Sequence, residues 1–114
     1  MSGYKFELEN NDEILKINSP KKSLRGPYTV VCKDLIERWA IVTMDWEGNP
    51  RLGIRWFWGE NGNPISRSFP TWFVIPPSLS KNILSGIPID HQISGKIDEF
   101  LQGKITGIDL KGAQ

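Results

Sequence analysis

Two runs of β-branched and aromatic residues on either side of a short turn sequence constrain the fold more than any other feature of the chain. The first run extends from Trp39 to Trp46 and the second from Arg51 to Trp58. The residues between them, Glu47 to Pro50, are of types that favour turns. β-Branched and aromatic side chains suit the pleated surface of a sheet, and two such runs joined by a short turn are typical of a β-hairpin. The middle of the chain is therefore predicted to form an antiparallel hairpin.

A weaker hairpin pattern is found near the start of the chain. Apolar residues alternate with charged ones from Tyr4 to Leu8, and turn formers then precede a second short run, Glu13 to Ile17. Residues 18–27 are bounded by prolines and have no apolar periodicity, which predicts a flexible, exposed and basic loop. The β-branched run from Tyr28 to Cys32 is predicted to be the next strand.

The last strand is predicted to follow a tight turn at Asn61 and Gly62. These residues suit the two positive-φ positions of a type I′ turn. With a two-residue turn there, Trp56 would lie opposite Arg67, and the guanidinium group would come within reach of the indole. The strand that follows would extend to residues 73–75.

Two amphipathic helices are predicted after the sheet. Proline is tolerated in a first helical turn, so the first helix is expected to begin at residues 76–78, and Gly86 and Pro88 are expected to end it. Its apolar face comprises Leu79, Ile83, Leu84 and Ile87. Gly103 is expected to cap the second helix. The apolar face of that helix comprises Ile93, Ile97, Phe100 and Leu101.

These elements predict an α+β fold, in which an antiparallel β-meander of about five strands is followed by two C-terminal helices. A single domain is expected over residues 1–110, with a frayed tail at residues 111–114. The chain of 114 residues is 39% apolar and 24% charged, which is typical of a globular domain rather than of a disordered chain.

Composition also limits the cellular compartment and the groups that the chain can bind. No apolar run approaches the ~18 residues that a membrane helix needs, and the first residues lack the pattern of a signal peptide. A soluble, cytoplasmic protein without a membrane partner is therefore expected. Cys32 is the only cysteine and His91 the only histidine, which excludes an internal disulfide and a Cys/His zinc site. No cofactor is predicted.

No familiar arrangement of catalytic residues is present in the sequence. Catalysis needs a nucleophile with a base, a metal site, or paired carboxylates in a cleft. His91 follows Asp90 at a predicted helix start, where we interpret it as the solvated neighbour of a helix cap. The sequence therefore predicts a protein that is not an enzyme. An enzyme that uses isolated acids is the least favoured alternative.

Cationic and aromatic residues are interleaved along the second run of the central hairpin. Because alternate residues of a strand point to opposite faces, one face carries Leu52, Ile54, Trp56 and Trp58. The other face carries Arg51, Gly53, Arg55 and Phe57. We interpret the first face as core and the second as a binding face, where the bare Gly53 lets a ligand approach closely.

This composition predicts a nucleic-acid-binding module, although the net charge of the chain is only +1. Single strands are bound where cations follow the phosphates and aromatic rings stack on the bases. The candidate contact residues are Lys21, Lys22, Arg25, Arg51, Arg55, Trp56, Phe57 and Arg67. Tryptophan and arginine are also enriched in protein interfaces. An inhibitor, immunity or adaptor protein that uses the same surface is therefore the alternative.

The central region also resembles a known family of single-stranded-DNA-binding proteins. A strand is followed by Trp46-Glu47-Gly48-Asn49-Pro50, Leu52-Gly53-Ile54-Arg55-Trp56, a glycine-containing turn, a final strand and Pro77-Ser78-Leu79. This order is similar to that of the family of the transcriptional coactivator called positive cofactor four, and the likeness covers residues 39–84. The resemblance implies a curved antiparallel sheet that binds single strands and a C-terminal helix that helps to form a homodimer. By position, it implies DNA contacts at Arg55, Trp56 and Arg67.

The basic loop generates the first testable prediction. If Lys21, Lys22 and Arg25 neutralise phosphates, changing all three to alanine weakens the binding of any oligonucleotide, because fewer counterions are then released on binding. The slope of log K against log salt concentration is expected to flatten by up to about three contacts. Titrations of labelled single strands at several salt concentrations measure this slope, and thermal unfolding checks that stability is unchanged. An unaltered slope would exclude the loop from the contact surface.

Overall fold

The structure is a computed structural model that describes residues 4–112. Its strands are β1 (Leu24–Asp34), β2 (Trp39–Trp46), β3 (Asn49–Trp56), β4 (Ile65–Ser66), β5 (Phe69–Pro70) and β6 (Phe73–Ile75). Its helices are α1 (Asn11–Ile14), α2 (Pro77–Gly86), α3 (His91–Leu101) and α4 (Gly107–Gly112). Strands β1, β2, β3 and β6 form an antiparallel sheet in that order, and β4 pairs with β5 separately. An antiparallel sheet followed by helices confirms the predicted α+β class.

The predicted central hairpin is present, and its turn is shorter than expected. β2 and β3 pair without interruption over their whole length. Glu47 and Gly48, with φ angles of 51° and 87°, make the connection. Two successive residues with positive φ are typical of a type I′ turn, whose twist matches that of the strands it joins. Asn49 and Pro50 therefore belong to β3 rather than to the turn.

The predicted N-terminal hairpin is wrong. Residues 4–23 form no strand, and the segment contains the single-turn helix α1. The side chain of Asn10 accepts a hydrogen bond from the backbone N–H of Asp12 (2.9 Å). A side chain that caps in this way favours a helix start over a hairpin turn. The apolar residues of the segment are nevertheless buried against the sheet, and they are Phe6, Leu8, Ile14 and Ile17.

The predicted loop at residues 18–27 is shorter than expected. β1 begins at Leu24, which lies opposite Trp46 of β2 and is buried. A buried apolar residue with a cross-strand partner belongs to the sheet. Of the ten residues of the predicted loop, only residues 18–23 therefore lie outside β1. Lys21 and Lys22 remain exposed in this connection.

Each face of the four-stranded sheet carries a packed layer. The N-terminal segment and Trp72 pack on one face, where the indole N–H of Trp72 donates to the carbonyl of Ile17 (2.9 Å). Helices α2 to α4 pack on the other face, which we call the helical face. The buried side chains between them and the sheet are Ile41, Leu52, Ile75, Leu84, Ile97, Phe100 and Leu110. Since both sides of the central strands are apolar, both need a covering layer.

Both predicted C-terminal helices form, and a third helix follows them. Gly103 has a φ of 78° and its N–H donates to the carbonyl of Phe100 (3.0 Å), so it caps α3 as predicted. Lys111, which was predicted to lie in a frayed tail, belongs to α4, and its ammonium group donates to the carbonyl of Tyr28 (2.6 Å). Residues 113 and 114 of that tail lie outside the described residues. Within residues 4–112, no helix has the length and apolarity needed to cross a membrane.

The turn predicted at Asn61 and Gly62 does not form. Trp56 lies opposite Asn63, and reciprocal backbone hydrogen bonds of 2.8 and 3.0 Å join them. Residues 57–62 therefore form a longer loop, in which Gly62 has a positive φ of 67° and Asn61 does not. Arg67 lies in the β4–β5 turn, with a φ of 50°, and is not the cross-strand partner of Trp56.

The burial of α3 generates a stability prediction. Phe100 is 6% exposed, whereas Ile93 on the same helix is 39% exposed, although the sequence predicts both on one apolar face. Phe100→Ala is expected to lower the free energy of unfolding by about 3–5 kcal/mol, because it leaves a cavity against the sheet. Ile93→Ala, as the matched control, is expected to cost less than about 1 kcal/mol. Urea unfolding of both variants measures the difference, and equal losses would contradict the docking of α3.

Candidate functional site

The predicted nucleic-acid contact residues do not form one surface. Lys21, Lys22 and Arg25 are exposed near the β2–β3 turn, where the backbone N–H of Glu47 donates to the carbonyl of Ser23 (2.7 Å). These cations therefore lie at one end of the sheet, next to the acidic side chain of Glu47 in the turn. Arg25 belongs to β1 rather than to the loop, and with Lys21, Lys22 and Glu47 it forms a mixed-charge surface.

Trp56 lies at the opposite end of the sheet from these cations. It is the last residue of β3, which has eight residues, and Arg51 is near the start of the same strand. A strand of that length spans about 23 Å from its first to its last residue. Arg51 is half-buried and its Nη1 donates to the carbonyl of Pro50 (2.8 Å). Arg67 is exposed in the β4–β5 turn, outside the four-stranded sheet.

Arg55 is buried inside the protein and does not belong to any exposed surface. Its side chain is 0% exposed. The guanidinium group donates to three backbone carbonyls, namely that of Trp56 through Nε (3.2 Å), that of Thr71 through Nη1 (2.8 Å) and that of Asn61 through Nη2. Among residues 4–112, no carboxylate lies within ion-pair distance of it. The guanidinium carbon is also 5.0 Å from the centre of the Phe57 ring, which further stabilises the cation.

The environment of Arg55 accounts for the shape of the loop at residues 57–62. Burial lowers the pKa of Arg55 to about 10, which leaves the group protonated at neutral pH. A buried charge needs hydrogen-bond partners, and the loop and the segment before β6 provide them. Gly62 is required in this loop, because a β-carbon there would collide with the guanidinium group and with the carbonyl of Trp56. Arg55 is therefore a structural residue that joins the loop to the end of β3.

The strand face that was predicted to bind a ligand is instead part of the core. Phe57 is 1% exposed and makes edge-on contacts with Phe6 and Trp72, with ring centres 5.7 and 6.4 Å apart. Gly53, which was expected to be bare, is covered by the side chains of Met44 and Trp72. The N-terminal segment and Trp72 supply a covering layer that the local sequence of β3 does not reveal. Arg55 and Phe57 are therefore too deeply buried to contact a ligand, contrary to the prediction.

The face that was predicted to be core is in part exposed. Trp39 lies directly opposite Trp56, and Ile54 lies opposite Phe73. These four side chains form a contiguous patch on the helical face at one end of the sheet, which we call the aromatic shelf. Trp56 is 38% and Phe73 is 45% exposed, and their rings make an edge-on contact with 6.4 Å between centres. The exposed aromatic surface of the protein is thus on the face opposite to the one predicted.

Helix α2 forms a wall beside the aromatic shelf. An open groove of about 470 Å³ separates the two. The wall residues, on α2 and directly after it, are Leu79, Ile83, Gly86 and Ile87. Helices α2 to α4 cover the part of the sheet that contains Leu52 and Ile75, whereas in the end row Trp39 is only partly buried and Trp56 is exposed. The groove is therefore the uncovered part of the helical face.

The groove is uncharged. None of the described side chains that line it is ionisable. Arg38 precedes Trp39 but is engaged elsewhere, since Nε donates to the carbonyl of Phe57 and Nη2 to that of Phe6, both at 3.0 Å. Its guanidinium carbon also lies 3.8 Å from the centre of the Tyr4 ring. An exposed apolar patch without cations suits a protein partner better than a phosphate backbone.

Side chains suited to metal or acid–base chemistry do not converge in the described part of the chain. Residues 4–112 contain no group of three or more His, Cys, Asp or Glu side chains placed to hold a metal ion. His91 is exposed at the start of α3, where Asp90 accepts a hydrogen bond from the backbone N–H of Gln92 (2.6 Å) and caps the helix as predicted. Burial, and secondarily the charge of Asp34, raise the pKa of the Cys32 thiol, so the unreactive thiol form is favoured.

Most of the aromatic shelf was not predicted from the sequence. Part of the signal was available, because a two-residue turn at Glu47 and Gly48 fixes the register and places Trp39 opposite Trp56. The position of Phe73 beside Trp56 depends on the length of the intervening loop, which was predicted wrongly. Nothing in the sequence indicates which row of the helical face the helices leave uncovered.

The Arg55 site generates a stability prediction. Arg55→Met keeps an apolar stem but removes the donors to the carbonyls of Asn61 and Thr71. We expect the free energy of unfolding to fall by at least about 3 kcal/mol, since each hydrogen bond to a charged group is worth ~1.5–3 kcal/mol. Arg25→Met is the matched control at an exposed position and is expected to change stability by less than about 0.5 kcal/mol. Chemical unfolding measures both variants, and a small loss in each would refute the structural role of Arg55.

Comparison with known proteins yields no match to a protein family, to a curated protein or to a solved structure. The resemblance to the positive cofactor four family therefore stays a prediction. Of the DNA contacts that it implies, Trp56 and Arg67 are exposed, whereas Arg55 is buried.

Proposed function

We propose that this chain is a non-enzymatic protein-binding module, and that the groove between the aromatic shelf and α2 receives an amphipathic helix of a partner protein. The observation that carries the proposal is the exposure of Phe73 and Leu79 in a groove whose described lining residues carry no charge, with the exposed ring of Trp56 against Phe73. Large contiguous apolar patches are rarely exposed on monomeric proteins, and where they occur they often mark interaction sites. Aromatic residues are also enriched in protein interfaces, and tryptophan is prominent among the residues that contribute most to affinity.

The layers of the fold support a helix as the occupant of the groove. Helices α2 to α4 already pack on the helical face, over Leu52 and Ile75. The next part of that face, with Trp39 and Phe73, is open beside α2. A helix placed alongside α2 would continue the same helix-on-sheet packing and would bury the aromatic shelf. Its contact face is expected to be apolar, because a charge placed in the groove would find no partner there.

Nucleic acid fits this surface less well. A single strand needs cations along its phosphates and rings for its bases at the same place. Lys21, Lys22 and Arg25 are at the other end of the sheet from Trp56, and the separation along β3 is about 23 Å. A bound strand would have to run the length of the sheet to meet both. Nucleic-acid binding is therefore the alternative that the following experiment distinguishes.

Leu79→Asp places a charge in the groove and tests the proposal. Leu79 is 49% exposed on α2, and Ile93 is 39% exposed on α3 outside the groove, so Ile93→Asp is the matched control. Proteins retained by the tagged chain from a cell extract are identified, purified and titrated back by calorimetry. We expect Leu79→Asp to weaken the affinity for the purified partner by about 2 kcal/mol, since a charge would be buried without a counterion. Ile93→Asp is expected to leave the affinity unchanged.

Three outcomes decide between the alternatives. Equal binding of the purified partner by both variants would mean that the groove is not the interface. The nucleic-acid hypothesis would replace the proposal if the chain retained only nucleic acid and if changing Lys21, Lys22 and Arg25 to alanine flattened the salt dependence of that binding.

Sedimentation equilibrium gives the third measurement. A dimer that dissociates in Leu79→Asp but not in Ile93→Asp would keep the groove as the interface and would identify the partner as a second copy of the chain.

A further inference from the structure

A separate cavity lies at the end of the sheet that is remote from the aromatic shelf. It is open to solvent, its volume is about 280 Å³, and it is bounded by the start of β1, the β2–β3 turn and the connection between α3 and α4. Its apolar walls are Pro27, Pro50, Phe100, Ile105 and Ile108. Of the described residues that line it, Asp45 alone is ionisable. The cavity therefore combines one carboxylate with largely apolar surroundings.

The carboxylate of Asp45 forms no ion pair with any described residue. Its Oδ1 atom is enclosed and has no hydrogen-bond donor within residues 4–112. Arg25 lies opposite Asp45 in the strand register but forms no ion pair with it. Thr29 and Thr43, which face each other on the same side of the sheet, are 2% and 0% exposed, and their hydroxyls have no hydrogen-bond partner among the described residues. Asp45 is half-buried, and a carboxylate partly withdrawn from water is stabilised by an accompanying cation.

We propose that this cavity binds a small organic cation, whose ammonium or amidinium group pairs with the carboxylate of Asp45 and whose compact apolar body lies against the cavity walls. A charge-assisted hydrogen bond to a carboxylate is stronger than a neutral one. The apolar walls disfavour strongly hydrated ions and favour a cation that carries a hydrocarbon or aromatic body. One negative charge also selects a singly charged ligand.

The wall opposite Asp45 is fixed by its own hydrogen bonds. The backbone N–H of Thr106 donates to Oδ2 of Asp109, and the backbone N–H of Asp109 donates to Oγ1 of Thr106, both at 3.0 Å. These bonds hold the α3–α4 connection in place without using Asp45. The cavity is thus formed before a ligand enters it, which is typical of small-molecule sites.

Backbone amide resonances of Asp45, Gly103 and Gly107 report on the cavity in NMR titrations. The probes are benzamidinium and cyclohexylammonium, and benzamide and cyclohexanol are the uncharged molecules of matching shape. We expect saturable shifts with the two cations and none with the uncharged probes at the same concentrations. Asp45→Asn is expected to weaken cation binding by about tenfold or more, because the charge-assisted bond is lost. Arg25→Ala removes a neighbouring positive charge and is expected to strengthen binding.

Ile108→Lys tests the site with Asp45 left in place. Ile108 is 74% exposed at the cavity, so the fold tolerates the change, and the new ammonium group competes with the free cation. Ile108→Met is the control, and it is expected to bind the cations as the parent does. The proposal is overturned if the uncharged probes shift the same amides equally, if neither cation saturates, or if Ile108→Lys and Asp45→Asn bind as tightly as the parent. None of these results bears on the aromatic shelf, because the cavity and the groove share no lining residue.

Discussion

The guanidinium group of Arg55 is a buried positive charge that backbone carbonyls, rather than a carboxylate, stabilise. Such a charge is tolerated only where enough acceptors surround it, so the chain has to bring the carbonyls of Asn61 and Thr71 to one point. This requirement holds the loop at residues 57–62 over the end of β3 and brings in the segment that leads to β6. The exposed rings of Trp56 and Phe73 meet because this arrangement brings β6 alongside β3. The geometry of the aromatic shelf therefore depends on a residue that no ligand can reach.

The aromatic shelf is exposed because the two covering layers of the sheet differ in extent. On the face opposite the helices, the N-terminal segment and Trp72 cover the sheet as far as Phe57, near its end. On the helical face, α2 to α4 cover Leu52 and Ile75 and stop short of the row that contains Trp56. Apolar surface that the chain leaves uncovered gains free energy when a second molecule buries it. The proposed partner helix would complete a layer that the protein itself leaves unfinished.

The two ends of the sheet offer different chemistry. At one end the surface is aromatic and uncharged, which suits the apolar face of a protein helix. At the other end lie the exposed cations Lys21, Lys22 and Arg25, together with the cavity that contains Asp45. A strand of eight residues holds these regions about 23 Å apart, so one small ligand cannot contact both. Occupation of the shelf and of the cavity can therefore be tested independently.

The sequence by itself determined the central hairpin, the α+β class, the helices that begin near Pro77 and Asp90, and the cap at Gly103. Each of these features depends on residues that are close together in the sequence. The sequence did not determine the N-terminal segment, the loop at residues 57–62 or the exposed face of the sheet. β3 is apolar or aromatic on both sides, and alternation separates two faces without showing which one is covered. The covering groups are distant in sequence, as in the bond from Trp72 to Ile17. Only the tertiary structure could decide that Arg55 and Phe57 are enclosed and Trp56 is exposed, because burial is set by long-range packing that a local pattern does not record.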